Sequence, residues 1–113
     1  MTSGGRATGP IRCLPVSGGA GSTAIDAVEG KTLRVIGLRI HVDGDGTMEL
    51  ASDGSLSDDT ATDIIPPMQC GTSVPWDFKP TLEGWGNSVQ GEGLTITSSA
   101  ANWSGVLILQ EVN

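Results

Sequence analysis

Apolar and polar residues alternate along most of this chain with the period of two that belongs to strands. The register is clearest over residues 31–52. Leu38, Ile40 and Val42 interleave with Arg39, His41 and Asp43, and further on Met48 and Leu50 interleave with Thr47, Glu49 and Ala51. Between the two runs, Asp43-Gly44-Asp45-Gly46 supplies residues that tolerate positive φ. The stretch is therefore expected to be a long strand, a hairpin turn and a return strand. Parity slips inside the first run, with Leu33 and Val35 on one face and Ile36, Leu38, Ile40 and Val42 on the other. Gly37 favours a bulge there over a strand covered on both faces.

The other runs are shorter. Residues 10–17 set Ile11, Cys13 and Pro15 against Arg12, Leu14 and Val16, and Pro15, which has no N–H, assigns this run to a sheet edge. Residues 22–28, 73–78 and 93–98 read as further short strands, and Ile64-Ile65-Pro66-Pro67-Met68 as a brief apolar segment stopped by its prolines. Residues 53–63 read as a polar loop, 79–91 as a long connection, and 99–105 as a turn holding Trp103. Residues 106–112 close the chain with apolar positions on both faces, Val106 and Ile108 on one, Leu107 and Leu109 on the other. Such a strand needs a cover on each side. A sandwich core supplies one, and a neighbouring subunit is the simplest source of the second.

No stretch has helical period. The expected fold is all-β, an antiparallel β-sandwich with the eight strands of a jelly roll, spanning residues 10–113 as one domain. Residues 1–9, rich in glycine and without periodicity, are expected to form a flexible N-terminal arm.

Charge narrows the partners. Six basic residues stand against thirteen acidic ones, a net charge of −7, so the basic stripe of a nucleic-acid binder is missing. Only 17% of residues are charged, which hints that part of the surface is covered by other subunits. No apolar run has membrane length and the N-terminus lacks a signal-peptide layout, so a soluble protein with no membrane partner is expected. Cys13 and Cys70 read as reduced thiols acting as small apolar residues. A bridge between them would close a long loop and add roughly 4 kcal/mol in the chain-entropy model.

Catalytic and cofactor signatures fall away on inspection. Gly30-Lys31-Thr32 ends like a phosphate-binding loop, but the glycine needed five places before Gly30 is Ile25. Asp43, Asp45 and Thr47 have the first spacings of a calcium loop, but its sixth and twelfth positions hold Met48 and Gly54. His41, the single histidine, has no G-x-S-x-G elbow to serve and no set of zinc ligands to join, so it reads as a surface or interface residue. Asn102-Trp103-Ser104 fits the glycosylation acceptor pattern, which carries meaning only on a secretory route. Trp76, Trp85 and Trp103 fit core or interface filling, with a sugar-stacking platform as the alternative. No enzyme activity, metal or cofactor is expected.

The layout of residues 31–38, KTLRVIGL, followed by an Asp/Gly turn and Gly46-Thr47-Met48-Glu49-Leu50, resembles the small β-sandwich decoration (cement) proteins of tailed-phage capsids. Val74-Pro75-Trp76-Asp77-Phe78, the Trp85 segment, Gly91-Glu92-Gly93-Leu94 and Trp103-Ser104-Gly105 leading into the last strand extend the likeness to residue 112. The resemblance implies a jelly-roll homotrimer on the outer surface of the virion, clamping major capsid proteins and stabilising the head. Under it, Leu107, Leu109, Arg39, His41 and Trp85 are expected at the subunit interface, and Arg6 and Arg12 against the capsid. A carbohydrate-binding module of a fibre or adhesion protein, using Trp85 and Trp103, is the alternative.

Overall fold

The computed structural model describes residues 9–54 and 63–112, so Arg6 and most of the expected arm lie outside the described residues. These residues contain no helix and fold as two antiparallel sheets packed face to face. One sheet has the order β1-β9-β3-β6, built from β1 (Ile11–Gly18), β9 (Asn102–Val112), β3 (Thr32–Asp43) and β6 (Trp76–Phe78), with β7 (Gly86–Asn87) also pairing β3. The other has the order β2-β8-β4-β5, built from β2 (Gly21–Ile25), β8 (Leu94–Ser98), β4 (Gly46–Ser52) and β5 (Asp63–Cys70). The core lies between them. Leu33, Val35, Leu38, Ile40 and Val42 of β3 meet Met48, Leu50, Leu94 and Ile96 of the opposite sheet, with Leu107 and Leu109 beside them.

The stretch expected as a hairpin is not one. β3 and β4 are joined at Gly44-Asp45, but β3 bonds to β9, β6 and β7 while β4 bonds to β5 and β8. The turn thus carries the chain from one sheet to the other. Gly44 supplies the positive φ of 91° that the reversal needs. Gly46 lets the entering strand press on the turn after β8, where a Cβ would stand 2.6 Å from the Ala100 backbone nitrogen. The two apolar faces then look at each other across the core instead of lying side by side.

The expected bulge in β3 is present, with the register against β9 shifting between Val35 and Gly37. β5 runs through Pro66 and Pro67 rather than stopping at them. It is an edge strand, so one flank needs no N–H donors. Trp103 lies in β9 rather than in a turn, is 2% exposed, and donates from Nε1 to the Gly19 carbonyl at 3.2 Å. Gly86-Asn87, inside the expected connection, adds two residues to the β3 edge.

Candidate interaction surfaces

Cross-strand register decides which side chains each broad face presents, because neighbours in a row point the same way. On the sheet holding β9, one row runs Pro15, Val106, Arg39, Asp77 and the next runs Cys13, Ile108, Gly37. A third runs Ile11, Gln110, Arg34, Asn87, and a fourth Ser17, Ser104, His41. These rows face outward: Arg39, His41, Cys13 and Pro15 are exposed, and Val106 and Ile108 are half-buried. The alternate rows, such as Leu14, Leu107, Leu38, Phe78, face the core.

This register corrects the expected subunit contact. Leu107 and Leu109 have no exposed surface within the single chain, because the opposite sheet already covers them. A partner copy can reach the other face of β9, at Val106 and Ile108. Arg39 and His41 do stand on that outward face, with Arg39 3.6 Å from Asp77 across β3 and β6. Trp85 is 43% exposed, sits edge-on to Phe78 at 5.0 Å between ring centroids, and donates from Nε1 to the Lys79 carbonyl at 2.8 Å. Arg12, at the sheet edge, lies 3.4 Å from Glu111. Of the three tryptophans, Trp76 and Trp103 are buried, so they offer no shared platform to a sugar ring.

The opposite broad face has different chemistry. Its outward rows are Ser22, Thr97, Glu49 and Ala24, Thr95, Ala51, Asp63. The hydroxyls and carboxylates of these rows suit water, while Ala51 is buried among its neighbours. Glu49 is held above the usual carboxylate range, first by a side-chain hydrogen bond with Asp63, then by partial burial and by repulsion from that same carboxylate.

Two arrangements bring reactive groups together. Ser17, Ser104, His41 and Asp43 line a shallow open depression with Asn102 and Trp103 at the end of the outward face. Among the described residues no hydrogen bond links His41 to either serine or to Asp43. The second centres on Glu92, fully buried, which accepts from the Ser52 hydroxyl at 2.6 Å and the Gly54 N–H at 2.9 Å. Ser52 in turn accepts from the Val89 N–H at 3.0 Å, so Glu92 pins the segment before β8 to the end of β4. Sequence reading missed Glu92 because nothing in Gly91-Glu92-Gly93 separates a buried carboxylate from a solvated one. No group of three or more potential metal-ligating side chains converges among the described residues.

Cys13 is exposed on the outward face, whereas Cys70 is buried on the far sheet and its thiol is pushed up by that burial. Both are free. Comparison with protein-family models, with curated proteins and with solved structures gave no match to this chain.

Proposed function

We propose that this protein is a structural virion subunit, a capsid decoration protein that binds the outside of a tailed-phage head as a homotrimer and stabilises the shell. The observation that carries the reading is the contrast between its broad faces. One is hydroxyl-rich and acidic, and the other sets exposed apolar residues in outward rows around Arg39 and Lys79. A sandwich built this way has a side for water and a side for protein.

The strand order supports the finer fold reading. One sheet runs β1-β9-β3-β6 and the other β2-β8-β4-β5, so apart from β4 and β5, which pair as neighbours, and β6 and β7, which share the β3 edge, each connection carries the chain to the other sheet, as in a jelly roll. β6 and β7 both border β3 and count as one interrupted edge strand, which gives the eight positions of that fold. The resemblance over residues 31–112 adds the assembly context, with the major capsid protein as partner and Arg6 and Arg12 as contacts to it. In mechanism, three linked contacts of modest strength dissociate together only rarely, so the trimer holds neighbouring capsomers longer than one contact would.

The test is addition of purified protein to expanded, undecorated heads of its own phage. Stoichiometric uptake and a raised disruption temperature are expected. Heads left bare at saturating protein would overturn the reading. A glycan screen with a signal lost in Trp85→Ala would favour a carbohydrate-binding module instead.

A further inference from the structure

The outward face of the β1-β9-β3-β6 sheet is apolar where a solvated sheet would be polar. Val106 and Ile108 occupy the middle of β9, with Pro15 and Cys13 beside them on β1 and Pro80 flanking Ile108 across Gly37. Ile11 extends the patch at 46% exposed. The hydroxyl-bearing positions of the opposite face make the difference one of sequence, not of strand geometry.

Charge and size point to the occupant. The whole chain carries −7, so two copies repel over most of their surface. Among the described residues there are five arginines and lysines, and three of them, Arg34, Arg39 and Lys79, belong to this side of the molecule. Against them stand two acids, Asp77 in contact with Arg39 and Asp43 at the end of the face beside His41. Copies of this acidic chain can therefore approach through this face with the least repulsion. Its extent also suffices. The molecule measures 49 × 30 × 18 Å, and the short axis fits two stacked sheets, so a broad face is larger than the roughly 800 Å² per partner that a stable contact buries.

From this we infer that the outward face of the β9 sheet is covered by a second copy of this chain, with Ile108 and Val106 at the centre of the contact and Arg39 and Lys79 on its rim. The inference rests on the reading of the protein as an assembling subunit and names the face through which it assembles.

Sedimentation of the full chain at micromolar concentration tests it. Wild type sediments as an oligomer. Ile108→Glu places a carboxylate at the centre of the contact and weakens association by roughly thirtyfold or more. The exposed pair Arg39→Glu with Lys79→Glu weakens it less, and the loss shrinks as salt rises. Thr97→Glu, on the opposite face, leaves assembly unchanged. Cys13 supplies a readout that needs no substitution: its alkylation slows as concentration drives assembly, while buried Cys70 reacts slowly throughout. A wild type that stays monomeric overturns the inference, as does unchanged assembly in both face variants or dissociation by Thr97→Glu. If Ile108→Glu fails to fold, the charge-reversal pair and the Cys13 rate decide. An oligomer that adds to heads and is unaffected by both face variants would sink this inference and leave the decoration reading standing. Oligomer built through this face that ignores heads would do the reverse.

Discussion

At the scale of residues, Glu49 gives the clearest dependence on pH. A carboxyl whose folded value is raised opposes folding once it is ionised, and that penalty is present in full above the raised value. It fades as pH falls through the raised value and is gone below the ordinary carboxylate value, where both states are protonated. Glu49→Gln should therefore raise the urea midpoint at pH 7, leave it unchanged near the acid end, and flatten the profile between. A variant that loses stability at pH 7 would contradict this. The sequence placed Glu49 on the correct, outward side of its strand, because Met48 and Leu50 fix the alternation. It did not show Asp63 as its neighbour. That contact depends on how β4 and β5 pair through two register irregularities, between Met48 and Leu50 and between Leu50 and Ala51. Trp103 was misread for a similar reason, since its strand begins four residues before the apolar run that marks it.

Among elements, β9 separates what periodicity carries from what it leaves out. The alternation correctly announced a strand with apolar positions on both sides, but two apolar faces look alike in one dimension. Only the pairing with β3, Leu107 opposite Leu38 and Val106 opposite Arg39, tells the inner from the outer. Leu107→Ala should cost about 3 kcal/mol in urea unfolding, because it opens a void in a filled core. A loss below about 1 kcal/mol would put Leu107 outside the core. The hairpin expectation failed on the same point. Residues 43–46 specify a reversal, yet a reversal between two half-apolar strands can serve a ladder or a crossing between layers. Contacts distant in sequence made the choice, through β8 and β9.

For the molecule as a whole, composition and period were enough for an all-β sandwich, and the order of strands within it was not legible. Seventeen glycines punctuate the chain, and several stand where backbones cross between layers, so the turn count was visible while the routing was not. The leucines nominated for a subunit contact turned inward and left Ile108 and Val106 on the outer side. The electrostatic asymmetry between the faces was invisible in the sequence, since it needs the rows assembled.

β1 and β9 lie side by side with Ile11 opposite Gln110, and the Gly9 N–H reaches the Glu111 carbonyl at 2.8 Å. The two extremities of the described fold therefore meet at one corner. From residue 9 to residue 112 the backbone path nearly closes on itself, so the point at which it is cut is incidental to the pairing of the sheets. A circularly permuted version, with a short glycine-serine linker joining residue 112 to residue 9 and new ends cut between Gly44 and Asp45, should fold and keep its calorimetric melting within a few degrees of the parent.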